Sequence, residues 1–258
     1  METNFRTHVF VAPSGFSYTI REQNGEDEDI LSNPRDAKDL TNLVKFIASL
    51  VIETNFTANG KLSLEDARKL PLLDKYCILL QNRIFSIGAI MEFDHTFQDG
   101  SSYTFEQDLN ELLFEDYTSY PSDEELEAKP YALPFYVSYP NGDHSKLKDI
   151  PFNTGSGKNL TFDYMDSNSE KYLLMLPEEK RTRNAELIAR NLKLEVNGKY
   201  EKVTNFRMFS IKDMQDIRRI ISANDPVYTG NIILEHPSTG VKETYNILGN
   251  PDFFGFMS

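Results

Sequence analysis

The residues that could do chemistry lie far apart in this chain. Gly155-Ser156-Gly157-Lys158 has the residue types of a phosphate-binding loop, where backbone N–H groups and a lysine cradle an anion. It falls short of the full loop spacing. Asn159 stands where a Ser or Thr would ligate magnesium, and a strand pattern rather than a helix follows. The four histidines, His8, His95, His144 and His236, form no short metal-binding cluster. The single cysteine, Cys77, lies among Leu72, Leu73, Leu79 and Leu80 at helical spacing, which suits a buried thiol better than a nucleophile. Neither a nucleophile elbow nor a His-Glu-x-x-His helix occurs. Acid pairs such as Asp27/Asp29 and Glu178/Glu179 sit in polar surface runs. Two catalytic carboxylates need to be close in space, not in sequence, so a small hydrolase with a carboxylate site stays open as an alternative. No catalytic residue, metal ligand or cofactor is assigned.

Aromatic residues offer a different kind of chemistry. Phe253, Phe254 and Phe256 fall within a short stretch next to Asp252. Bulky aromatics dominate interface energetics when a partner pocket buries them, which makes these three the candidate partner-binding residues. The same side chains would equally fill the chain's own hairpin–helix core, and both readings stand at this level.

Composition narrows the class. The chain has 258 residues, 40% of them hydrophobic, with 18 Phe and 13 Tyr, enough to build a sizeable core. Acidic residues number 40 against 27 basic, for a net charge of −13. A duplex nucleic-acid binder needs a basic face, so nucleic acid is not an expected partner. The one basic stretch, Lys180-Arg181-Thr182-Arg183, follows Glu178 and Glu179 and reads as a solvated face. A single cysteine allows no intrachain disulfide and fits a reducing compartment. No segment has the ~18 apolar residues of a membrane span, and the first residues lack a signal-peptide plan.

The elements that must position these residues follow from periodicity. Val9–Val11 and Phe16–Arg21 flank Pro13-Ser14-Gly15 and predict a hairpin. Glu22–Asp29 reads as an acidic loop. Asn33-Pro34 opens a helix whose apolar residues recur at helical spacing from Leu40 to Val51, predicting one helix over 34–54. Ser63 with Asp66 caps a short helix, and Pro71 restarts a longer one that ends before Gly88. Beyond Pro134, Phe135–Tyr139 and a strand near Lys146–Ile150 flank Asn141-Gly142, a hairpin signal. Leu160, Phe162 and Tyr164 mark a half-buried strand, Ser167–Leu176 a helix, and Pro177 a second helix to Leu192. Asn197-Gly198 marks another hairpin. Ser210 and Asp213 cap a last helix with Ile211, Met214, Ile217, Ile220 and Ile221 on its apolar face.

One unit appears twice in this order. A helix, a glycine, a hairpin and a short apolar turn run from Asp74 to Phe114, and again from Ser210 to Phe256. Few residues are identical between the copies, so this is either an internal duplication or a recurrence of a common motif. The acidic, proline-flanked stretch Ser119–Lys129 divides residues 1–120 from residues 130–258. The expectation is an α+β fold in two similar-sized halves of short helices and antiparallel hairpins.

The ordered set of small motifs resembles the baseplate hub assembly proteins of contractile-tailed bacteriophages. The residues carrying the resemblance are Pro13-Ser14-Gly15 with Tyr18, Asp27–Leu31, and Asp74 with Leu79 and Arg83 leading into Phe85-Ser86-Ile87-Gly88. They continue with Asp108-Leu109, Leu133-Pro134, and Asn250-Pro251-Asp252-Phe253-Phe254. The resemblance implies a non-enzymatic factor that assists hub assembly in the host cytoplasm by binding phage baseplate hub proteins, whether or not it stays in the mature virion. Relatives often carry Cys-x-x-Cys at the hairpin tips. Here the tips read Asp94-His95-Thr96-Phe97 and His236-Pro237-Ser238-Thr239, so a metal role implied by the family has no thiolate to rest on.

Overall fold

A computed structural model describes residues 5–135 and 147–255. The fold is α+β, with nine α-helices and four small antiparallel sheets among the described residues. The hairpin expected around Asn141-Gly142 and the side chain of Phe256 lie outside the described residues.

Strands β1 (Thr7–Val11) and β2 (Ser17–Arg21) form the expected first hairpin. The acidic loop is instead helix α1 (Gly25–Leu31). Asn24 and Asp27 form a reciprocal capping box there, and the acids of the first turn suit the positive end of the helix dipole. The single helix expected over 34–54 is three elements: α2 (Pro34–Ala37), α3 (Thr41–Leu50) and β3 (Val51–Thr54). Leu40 breaks the helix in a left-handed conformation. The β-branched Val51-Ile52 pair then leaves the helix to join β2. Helix α4 (Leu64–Ala67) follows its Ser63 cap.

Helix α5 (Leu72–Ser86) is the central element. Leu73, Cys77, Ile78, Leu79 and Leu80 are buried together with the polar Asp74, Lys75, Asn82 and Arg83. It is surrounded on most sides, which explains its weak amphipathic pattern. Cys77 is fully buried, and burial raises its thiol pKa well above the usual value. Hairpin β4 (Ile90–Thr96)/β5 (Ser102–Asp108) follows, then a 3-10 turn Leu109–Leu112. The stretch around Glu124 forms a capped helix, α6 (Asp123–Ala128).

In the second half, β6 (Ile150–Asn153), β7 (Asn159–Phe162), β8 (Lys193–Val196) and β9 (Lys199–Lys202) form a four-stranded sheet in sequence order. Helix α7 (Ser167–Met175) is capped by Asp166. The expected second helix from Pro177 to Leu192 is shorter: a 3-10 turn Glu178–Lys180, then α8 (Arg183–Ala189). Helix α9 (Ile211–Asn224) carries the predicted Ser210/Asp213 capping box. Met214, Ile217 and Ile221 are buried and Ile220 half-buried, but Ile211 is 81% exposed, on the outward side of a first turn whose Asp213 and Met214 are buried. The final hairpin is β10 (Asn231–Glu235)/β11 (Lys242–Asn246), followed by a 3-10 turn Pro251–Phe254.

The repeated unit therefore recurs in three dimensions. Gly88 and Gly230 both adopt positive φ between helix and hairpin. Both hairpins are closed at the base in the same way: the Leu109 amide donates to the Ala89 carbonyl, and the Ile247 amide to the Gly230 carbonyl, each at 2.9 Å. The two hairpins pack against each other. Phe93 stacks on Tyr245 with ring centroids 4.4 Å apart, and Phe97 lies 4.7 Å from His236. His95 pairs with Glu243 at 3.2 Å. The His236 Nδ1 accepts the Ser238 and Thr239 amides, which leaves Nε2 protonated and facing Ser101 Oγ at 2.9 Å. The tips are joined by imidazole, hydroxyl and carboxylate groups.

One buried cluster spans both halves, from Phe10 and Phe46 to Ile217 and Phe253. Polar links reinforce it. The Leu72 amide donates to the Met165 carbonyl at 3.0 Å, and the fully buried Lys75 ammonium pairs with Glu170. The Asp74 carboxylate is also buried. It accepts hydrogen bonds from Ser14 N–H at 3.0 Å, the Ser14 hydroxyl, and Tyr18 at 2.8 Å, tying the first hairpin to α5.

Candidate functional site

The motif with phosphate-loop chemistry is occupied by the chain's own carboxylates. Gly155–Gly157 is the turn of the β6/β7 hairpin and sits on the start of α9. Gly155 N–H donates to Asp216 at 2.9 Å, Ser156 Oγ to Asp213 at 2.5 Å, and Lys158 Nζ to Asp213 at 2.9 Å. Ser156, Lys158 and the Ser210 amide hold the Asp213 carboxyl well below its usual pKa. A phosphate would meet two carboxylates here. Lys158 Nζ also donates to Ser156 Oγ at 3.2 Å, so the lysine and the hydroxyl are both engaged with Asp213.

The buried Asp74 carboxyl is no better placed for catalysis. Burial pushes the Asp74 carboxyl up to about 6 against the opposing hydrogen bonds of Ser14 and Tyr18. Asp74 is completely buried inside the Ser14–Tyr18 cage and lines none of the cavities described below. Among the described residues, no group of three His, Cys, Asp or Glu side chains could hold a metal ion. No helix there is long and apolar enough to cross a membrane.

The aromatic candidates divide. Phe253 is 0% exposed and belongs to the core cluster. Phe254 is half-buried, edge-on to Phe46 at 5.9 Å, and its carbonyl accepts from Gln23 Nε2 at 3.2 Å. Asn250 caps the turn through the Asp252 amide at 2.8 Å. Gly255 ends it at φ 75° with a Cβ position only 2.6 Å from Ile87 Cδ1, so a side chain there would be both strained and obstructed. Of the residues expected to meet a partner, Phe253 is thus in the core and Phe254 is packed against the chain's own N-terminal half.

An outward apolar feature lies elsewhere, on α7 and the segment after α9. Tyr172-Leu173-Leu174-Met175-Leu176 is an apolar run longer than one helical turn of about 3.6 residues, so it cannot all face one core. Met175 is 64% exposed, and Tyr172 and Leu174 are also exposed. Pro177 stops the helix. Arg181 fixes its end by donating to the Leu174 carbonyl at 2.7 Å and the Leu176 carbonyl at 2.9 Å.

Opposite this face, Asp225 joins three elements. It ends α9, accepts the Met165 amide at 2.9 Å, and pairs with the buried Arg190 guanidinium at the end of α8. Burial raises the Asp225 pKa, and Arg190 opposes the shift. That buried pair fixes the backbone from which Val227 projects, 63% exposed. Around Val227 lies a continuous set of hollows. One, of about 250 Å³, is bounded by Leu72, Tyr76, Leu173, Leu174 and Tyr228. The next is floored by Met165, Leu173 and Leu174. A third is walled by Arg183, Arg218 and Glu186.

The groove is apolar at its floor and basic on one wall. Its acids are held by cations of the chain: Glu186 and Asp225 both meet the Arg190 guanidinium, and Glu170 pairs with Lys75. Two of its residues carry buried polar atoms with no hydrogen-bond partner among the described residues, Tyr228 OH and Arg218 Nε. Such atoms are rare in folded chains. One signal for this site was present in the sequence: the apolar run at Tyr172–Leu176. Its exposure depends on how little of α7 the sheet covers, which the run itself does not encode. No family model matches the chain, and neither a curated protein nor a solved structure is similar enough to it to count as a match.

Proposed function

We propose that this protein is a non-enzymatic assembly factor that binds other proteins, of the kind its motif order resembles: a factor assisting assembly of the baseplate hub of a contractile phage tail. The observation that carries the reading is the exposed apolar face of α7 beside Val227. An apolar surface of this kind on an acidic chain marks a place where a partner is held. The commitment of the candidate loop's donors to Asp213 and Asp216 supports a binding role over a catalytic one. The net charge of −13 supports proteins rather than nucleic acid as partners. Work in the host cytoplasm fits the buried, unpaired Cys77.

The test is purification of the tagged full chain from cells in which the particle assembles, with mass spectrometry of the complex and of the mature particle. Baseplate hub components are expected in the complex. Recovery of no tail component would overturn the reading.

A further inference from the structure

We propose that the α7–Val227 groove takes a short apolar segment of a partner protein that carries one or more carboxylates, with its apolar side chains on Leu174, Met175 and Val227 and its acid between Arg183 and Arg218. This deepens the assembly-factor reading and rests on it. The apolar half of the argument is the floor already described. The acidic half comes from unmatched positive charge.

Carboxylates outnumber cations in this chain, 40 to 27, and the buried or half-buried Arg21 and Arg190 are held by Asp27 and Asp225. The two arginines of the groove wall are not held in this way. Arg183 is exposed and makes no ion pair among the described residues. Among the described residues, Arg218 donates to the neutral Asn184 side chain, at 2.9 Å, makes no ion pair, and its Nε is buried without a partner. The groove's acids are otherwise engaged: Asp225 holds Arg190, and Glu186 lies 3.2 Å from the same guanidinium. Arginine is the side chain best suited to take a carboxylate bidentately, and beside a low-dielectric apolar floor such a pair gains strength over one in water.

A second copy of this chain fits less well. A two-fold contact over the groove would bring Arg183 and Arg218 toward their own equivalents, between bodies that each carry −13. The occupant is therefore another protein.

The experiment repeats the purification with the full chain carrying Arg183→Glu with Arg218→Glu, Leu174→Asp, or Ile211→Asp. The last is an exposed apolar control outside the groove. Arg183→Glu alone serves if the double variant melts early. A photocrosslinking residue at Met175 maps the captured segment. Recovery of the partner should fall about tenfold or more for the charge reversals and for Leu174→Asp, with Ile211→Asp unchanged. The crosslinked segment should contain apolar residues flanking Asp or Glu.

Undiminished recovery with the charge reversals overturns the inference and leaves the assembly reading standing. A crosslink to a segment without acids, or to a second copy of the chain, also overturns it. A charge-sensitive partner that is no tail component supports the groove chemistry and overturns the assembly reading.

Discussion

The turn Pro251–Phe254 and helix α7 both carry bulky apolar residues, yet the first is sealed against the body and the second faces outward. Phe253 is wholly buried and Phe254 packs on Phe46, while Met175, Leu174 and Tyr172 are exposed. Local sequence does not make the difference. The terminal turn is capped by Asn250 and closed by Gly255 against Ile87, so its backbone delivers both phenylalanines to the N-terminal half. Helix α7 buries Ser167 and Ser169 at its start and ends at Pro177 before its apolar run meets a covering element. A cluster of aromatics is thus a poor guide to an interface unless its backbone geometry is known. An apolar run that outlasts one helix face leaves part of itself outside the core, as Leu174 and Met175 show.

This comparison can be broken by mutation, beginning where the effect is largest. Phe253→Ala should cost about 3–5 kcal/mol, as for a fully buried aromatic, measured by denaturant unfolding of the purified chain. A loss under about 0.5 kcal/mol would mean that the turn is not core. Ile217→Ala, on the buried face of α9, should cost about 2–5 kcal/mol, against less than about 0.5 for Ile211→Ala in the first turn of the same helix. Equal costs would show that the helix is rotated from the orientation described.

A third test separates buried polarity from buried apolarity. The folded Asp74 carboxyl is pushed up to about 6 by burial, above an ordinary aspartate near 3.9. The fold therefore retains a proton that the unfolded chain releases at lower pH. The stability this gives is complete below about pH 4 and is lost as pH rises through about 6, a change of about 3 kcal/mol by linkage. Between pH 4 and 7 the stability difference between Asp74→Asn and the parent should move in favour of the variant by about that amount. Asp27 and Asp39 have lowered pKa values and act in the opposite sense, losing their contribution as pH falls, but they cancel in this difference. A pH-independent difference would contradict the caged carboxylate. The smallest stability effect is expected on the outward face: Met175→Ala should change unfolding by less than about 0.5 kcal/mol.

Much of the fold was legible in the chain. The capping residues Ser63, Ser210 and Asn33, the turn glycines, and the strand alternation at Leu160 and Phe162 each act within a few residues, so their physics is local. The recurrence of helix, glycine and hairpin was also readable, because it is a matter of order. What was not legible depended on distant partners. Val51–Thr54 left the helix because β2 offered it a ladder. The Glu22–Asp29 stretch became partly helical because Asp27 both caps α1 and pairs with Arg21. Phe253 and Phe254 were candidate contacts because nothing in Asp252-Phe253-Phe254 records that Phe46 stands against Phe254. The groove was hidden more deeply. Asp225, Arg190 and Met165 are far apart in sequence, and only their meeting sets Val227 on the surface.

Hydrogen–deuterium exchange of the full chain, alone and in the complex recovered from assembling cells, tests the central claim most directly. The account predicts slowed exchange on binding at residues 172–176 and 225–229, with the already protected residues 250–255 unchanged. Protection concentrated at 250–255, with α7 and the Val227 segment exchanging as in the free protein, would contradict it.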